Sequence, residues 1–172
     1  TLSLWVKTTD KNWRDIAYWG SDINGQRWWL RMYRNELRMD FRNAIRRTFT
    51  KNLNDGLWHH VAAVNPAGSN SRDTVRLYID GAEGQFYGQW GGQSTISTGV
   101  NDSFRIGARW DLGGSRFIGA IDDVRLYSKD FSQFEIQNLV REGAGLPVDV
   151  TEESYTLSVW AKPNKLAPVM DY

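Results

Sequence analysis

Short runs in which apolar and polar residues alternate dominate this chain, and a period of two fits β-strands rather than helices. Leu2, Leu4 and Val6 fall on one side of the run from Thr1 to Lys7. The runs 28–33 and 36–42 flank Arg34-Asn35, a two-residue spacing that predicts a tight hairpin. Trp58–Val64 reads as a largely buried strand, and Thr74–Ile79 ends on the turn-forming pair Asp80-Gly81. Phe104–Gly107 and Phe117–Tyr127 supply two more strands, with Gly-, Asn- and Asp-rich turns between the runs. One segment, 130–140, has helical spacing through Phe131, Phe134 or Glu135, and Leu139. Ser132 followed three residues later by Glu135 forms a capping box, so one or two turns at the rim are expected. The fold class that follows is all-β: a two-sheet antiparallel jelly-roll sandwich with one short helix near the C-terminal end of the unit.

Composition supports a packed core. Of 172 residues, 41% are apolar and nine are Trp, so the chain is far from the depleted composition of disordered segments. The net charge of +1 and the lack of a recognition motif argue against nucleic acid as a partner. No window reaches the apolar length of a membrane span, roughly 18 residues. Cysteine is absent, which removes thiol catalysis and Cys-ligated zinc. Thr1 already lies in a strand-like run, so the chain is expected to be a processed or excised piece.

The opening of the chain recurs near its end. Thr1-Leu2-Ser3-Leu4-Trp5-Val6-Lys7 returns as Thr156-Leu157-Ser158-Val159-Trp160-Ala161-Lys162, with five of seven residues identical. Residues 16–19 have a counterpart in 169–172, and the period is about 155 residues. The expected organisation is a sandwich over 1–142, a linker over 143–147, and the first strands of a second repeat over 148–172.

In this order, Thr1–Lys7, Asp55–Ala62, Leu77–Gly81, Phe104–Gly107 and Gly119–Tyr127 with the helix start at Ser132 resemble the laminin-G-like domains of the concanavalin A-like lectin/glucanase superfamily. The resemblance covers about residues 1–140. It implies a jelly roll of extracellular or cell-surface proteins, often repeated, that binds glycans or protein partners, frequently with calcium at the rim. In the family an edge strand precedes the Thr-Leu-Ser-Leu-Trp segment. None precedes Thr1, whereas Val148-Asp149-Val150 stands at that place before the second copy.

Because the superfamily includes glucanases, catalysis comes first. A retaining enzyme needs two carboxyls roughly 5–5.5 Å apart. No strand carries acidic residues at successive alternate positions, and the nearest pair, Glu36 and Asp40, is interleaved with arginine. His59 and His60 are adjacent on a strand, so they face opposite ways and cannot share a metal ion. His60 is expected to be structural, with Asp122 as its carboxylate partner. For calcium, hard oxygen donors sit at Asp22, Asn101, Asp102, Asp111, Asp122 and Asp123, although Asn and Asp at such places also simply make turns.

For binding, Trp13, Trp90 and Trp110 are expected in polar, Gly-rich loops rather than in alternating strands, where an indole stacks on a sugar or plugs the end of the sandwich. Seven Arg against Glu36 and Asp40 fill 27–47, a local excess of five positives. Arg38 and Arg42, with Arg31 on the paired strand, suit the acidic groups of a polysaccharide; cross-strand Arg–acid pairs on a solvated face are the plainer reading. The leading expectation is a non-catalytic extracellular recognition or adhesion module from a tandem array, directed at a glycan or an extracellular protein. The rivals are a structural repeat that joins neighbouring copies by strand exchange through 148–172, and a carbohydrate-binding module of a glycoside hydrolase.

Overall fold

A computed structural model describes residues 1–23, 25–34, 36–42, 45–49, 52–90, 95–97, 103–109, 111, 114–145 and 157–159; at 47, 49, 86–90 and 157–159 it describes the backbone alone. Twelve strands and one α-helix occur among them: β1 (Leu2–Lys7), β2 (Arg14–Gly20), β3 (Arg27–Tyr33), β4 (Glu36–Asp40), β5 (Ile45–Phe49), β6 (Trp58–Val64), β7 (Arg76–Ile79), β8 (Ala82–Glu83), β9 (Phe86–Trp90), β10 (Phe104–Ile106), β11 (Ala120–Leu126), α1 (Gln133–Gly143) and β12 (Leu157–Val159). They form two sheets, ordered β12-β11-β1-β6-β7-β8 and β10-β2-β3-β4-β5-β9, with antiparallel pairing throughout. The expected jelly-roll sandwich is the observed fold.

The alternation read from the sequence decides which side chains meet between the sheets. The first sheet contributes Leu2, Leu4, Val6, Val61, Ala63 and Val124; the second contributes Leu30, Met32, Leu37 and Met39. On β2 the register slips between Asp15 and Ala17, and the bulge lets Ile16 and Ala17 bury side by side. Tyr33 pairs with Glu36 across the two-residue turn at 34–35. At the other predicted turn, Asp80 and Gly81 both take positive φ, 50° and 78°, as a tight hairpin between Ile79 and Ala82 requires.

The helix is longer and placed differently than its spacing suggested. It runs for 11 residues and lies over the outer face of the first sheet. Ile136 and Leu139 pack there with Ala62, Val64, Tyr78, Tyr127 and Phe131, while Phe134 is 59% exposed. The capping box forms as expected: Ser132 Oγ accepts from the Glu135 N–H, and Glu135 accepts from the Ser132 N–H. Gly143 lies so close to the Trp5 indole that a Cβ at this position would overlap it.

Of the repeated segment, Leu157–Val159 is described. It adds to the outer edge of β11 with the register Leu157↔Leu126 and Ser158↔Arg125. On the inner edge, β1 pairs Leu2↔Leu126 and Ser3↔Arg125. The two copies of the repeated strand therefore flank β11 in matching registers.

His60 is 1% exposed on the outer face of the first sheet, beneath the region of α1. Its partner is not Asp122. Nε2 lies 2.8 Å from Ser3 Oγ, and the ring meets the Trp5 indole edge-on at 5.5 Å. Trp5 pairs with His60 on one side and Asp122 on the other, so β1 separates the two residues by roughly two strand spacings, about 9–10 Å. Burial pushes the His60 pKa down to about 4, against a smaller opposing effect of Asp80. The folded state thus takes up the His60 proton less readily than the unfolded chain. Stability from this residue is complete above about pH 6.5 and is lost as pH falls toward 4, a change on the order of 3 kcal/mol. Urea unfolding at pH 7.0, 5.5 and 4.5 should show this decline, and a His60→Gln variant should be flatter across the same window.

Candidate glycan-binding surface

The outward residues of β3 and β4 form a compact charged and aromatic face. On β3 these are Arg27, Trp29, Arg31 and Tyr33, and on β4 they are Glu36, Arg38 and Asp40. Arg31 and Arg38 stand directly opposite each other, an unfavourable pairing unless counter-charges or π-faces absorb it. Both kinds of partner are present. Arg38 binds Glu36 on its own strand, and Arg31 Nη1 lies 3.7 Å from Asp40 Oδ2. Arg27 reaches the same carboxylate at 2.7 Å, with both side chains under 10% exposed.

Trp13, from the β1–β2 loop, completes the arrangement. Its ring stacks on Tyr33 at 4.4 Å and 16°. The guanidinium of Arg31 sits 4.1 Å from Trp13 and 3.8 Å from Trp29, so it is shared between two indoles. Arg38 approaches Trp13 at 4.4 Å. Desolvated cation–π contacts of this kind are worth up to about 2 kcal/mol each. Burial pushes the Arg31 pKa down to about 10, with Asp40 and Asp15 acting the other way. Asp15 is fully buried beneath this layer, where it accepts from Trp29 Nε1 at 3.0 Å and from Ser115 Oγ at 2.7 Å. Burial raises its pKa, and those hydrogen bonds together with Arg31 oppose the rise.

The residues expected to bind a ligand therefore divide. Trp13, Arg31 and Arg38 come together, but the two arginines are only 14% and 12% exposed and already hold acids and indoles. Arg42 leaves the group. β4 ends at Asp40, Arg42 adopts φ 80°, and its side chain pairs with Asp22 at 2.8 Å. Trp90 is not in a loop: it ends β9, paired with Ile45 at the edge of the second sheet, with its side chain outside the described residues. Trp110 lies outside them altogether.

Among the described residues, the expected calcium donors do not gather in one site. Arg27 and Arg42 occupy Asp22, Arg109 lies 2.6 Å from Asp111, and Arg125 lies 2.6 Å from Asp123. Burial alone would raise the Asp22 pKa, but Arg42 and Arg27 outweigh it and hold the carboxyl below the usual range. Asp122 accepts the Asp123 N–H at 2.8 Å. Asn101 and Asp102 lie outside the described residues, and among those described no three acidic or histidine side chains form a group suited to a metal ion.

Beside the Trp13–Tyr33 pair lies an open depression of about 620 Å³, lined by Lys11, Asn12, Tyr33, Arg34, Asn52 and Asn54. Three loops build it: β1–β2, the β3–β4 turn and β5–β6. Asn54 is 6% exposed and its carboxamide bonds to no other described residue. Apart from Tyr33 and Arg34, at the end of a predicted strand and the start of its turn, these positions drew no binding expectation from the sequence. The one available signal was Lys11-Asn12 immediately before a loop tryptophan; that 52–54 closes over the same place depends on the crossing from β5 to β6.

With this geometry in hand, comparison with known proteins is informative. A sequence profile of laminin-G-type domains, described as the concanavalin A-like lectin/glucanases superfamily, matches residues 1–137. No curated protein matches the chain. Among solved structures, a heptameric SAP-like pentraxin from Limulus polyphemus is similar at TM-score 0.61 and 14% identity, covering 93% of this chain and 79% of that one. Domain 4 of AbnA, a GH43 extracellular arabinanase from Geobacillus stearothermophilus in complex with arabinotriose, gives 0.57 and 23%, over 81% and 65% of the two chains. The CBM40 of the Ruminococcus gnavus IT-sialidase gives 0.56 and 16%, over 81% and 80%. At these identities the likeness concerns the fold. The profile spans most of the chain, and on that basis the protein belongs to the laminin-G-like branch of the concanavalin A-like lectin/glucanase superfamily.

Proposed function

We propose that the chain is a non-catalytic, extracellular glycan-binding module. The observation that carries this reading is a depression lined by Tyr33 and three asparagines, with Trp13 stacked behind that tyrosine. A sugar ring presents C–H groups to an aromatic face and hydroxyls around its edge. Carboxamides both donate to and accept from hydroxyls, so the lining suits that edge. Glycan recognition on the same fold is consistent with two of the similar structures, the arabinanase domain solved with arabinotriose and the sialidase CBM40.

Carboxylate chemistry favours binding over hydrolysis. Glu36 is held by Arg38 and Asp40 by Arg27, so neither is an unencumbered acid or nucleophile. Asp15, whose pKa burial raises, is fully buried and out of reach of a polysaccharide.

Assembly through 148–172 is a second reading, favoured by the matching registers of β1 and β12 on β11. The outer edge of β11 accepts the repeated strand within one chain, and the same edge suits the equivalent strand of a neighbouring copy. In a tandem array each unit would offer both the edge and the strand.

Two outcomes test these readings. Trp13→Ala and Tyr33→Ala should each weaken binding to a responsive glycan, found on an array, by about tenfold or more in calorimetry, with far-UV circular dichroism unchanged. Retention of full affinity in both variants would remove the depression from the binding site. Light scattering of the full chain should show larger species that deletion of 147–172 abolishes; a strictly monomeric full chain would sink the assembly reading.

A further inference from the structure

Among the described residues, the lining of the depression carries two cations and no carboxylate: Lys11 and Arg34, with Asn12, Asn52, Asn54 and Tyr33 between them. The nearest acids along the chain are committed elsewhere. Asp10 pairs with Arg14 at 2.8 Å, and Glu36 pairs with Arg38. Among the described residues neither Lys11 nor Arg34 has an acidic partner, and both are exposed. This contrasts with the adjoining face, where Arg27, Arg31 and Arg38 all have carboxylate partners.

The backbone at Arg34 adds an independent observation. Its φ of 53° is left-handed, a conformation that suits glycine or asparagine and costs another residue roughly 1–2 kcal/mol. At this strained position the chain carries arginine, and the guanidinium sits 5.3 Å from the Tyr33 ring that lines the depression. A planar cation fixed against an aromatic wall is well suited to a bidentate contact with carboxylate or sulfate. Lys11 supplies a mobile point charge from another loop.

We infer that this depression selects acidic glycans, with Lys11 and Arg34 holding a carboxylate or sulfate group while Tyr33 and the asparagines hold the ring. The inference rests on the glycan-binding reading and gives it a ligand class. It also replaces Arg31, Arg38 and Arg42 as the anion-reading set, because those guanidiniums are already engaged.

Matched ligands separate the inference from the reading beneath it. Calorimetry on the full chain would compare oligogalacturonate with its methyl ester, and dextran sulfate with dextran; the first pair isolates carboxylate and the second sulfate. The expected result is at least about tenfold tighter binding of one acidic member than of its neutral partner, weakening as salt rises from 50 to 500 mM, both values being on the order used for charge screening. Lys11→Gln combined with Arg34→Gln should erase that preference. Because both side chains are exposed, the double variant is expected to keep the wild-type Tm. Neutral ligands binding at the Trp13 site as tightly as acidic ones would overturn the inference and leave the glycan reading standing. Absence of binding to all four ligands and across a wider glycan array would overturn both. An acidic preference that survives in the double variant would place the anion elsewhere and refute the assignment.

Discussion

Arg31 is shared between two indoles, and the outer face of the second sheet is organised around that contact. Trp29 comes from the same strand two residues away, but Trp13 comes from a loop and has no strand partner to hold it. A guanidinium sandwiched in this way gains cation–π attraction on both faces, and the low exposure of the site strengthens it. Asp40 and Asp15 balance the charge, and Glu36 does the same for Arg38 alongside. Without these counter-charges, Arg31 and Arg38 would repel across the β3–β4 pair. With them, Trp13 lies flat against Tyr33, and Tyr33 lines the depression.

That arrangement assigns the arginines of this region to two jobs. Those on β3 and β4, three of the seven, are nearly buried and bind the protein to itself. Arg34, one residue beyond the end of β3, is exposed because the hairpin turns it away from the ladder. Proximity in sequence is thus a poor guide to availability here. Two residues separate Arg31 from Arg34, yet only the second faces solvent without an acid.

On the other sheet the same economy of partners governs His60. It uses Ser3 on the adjacent strand, since β1 intervenes between it and Asp122. The Ser3–His60–Trp5 group lies on the face that carries α1, where the Trp5 indole meets Gly143. The repeated segment uses geometry already present in the fold: β11 has two edges, and the two copies of one sequence fit both in the same register.

How much of this was legible in the sequence differs by interaction range. Strands β1, β3, β4, β6, β7, β10 and β11, the turns at 34–35 and 80–81, the capping box at Ser132 and Glu135, and the family were readable, because each depends on residues a few positions apart; β2, β5, β8 and β9 were not singled out. The superfamily match over 1–137 agrees with the motifs quoted from the sequence alone. Partners were not readable. Whether a guanidinium is spent or free, which hydroxyl meets His60, why Phe134 points outward while Ile136 is buried, and which three loops enclose the depression all depend on distances between strands far apart in the chain. Alternation states which face a side chain takes, and only the crossing of strands states what it finds there.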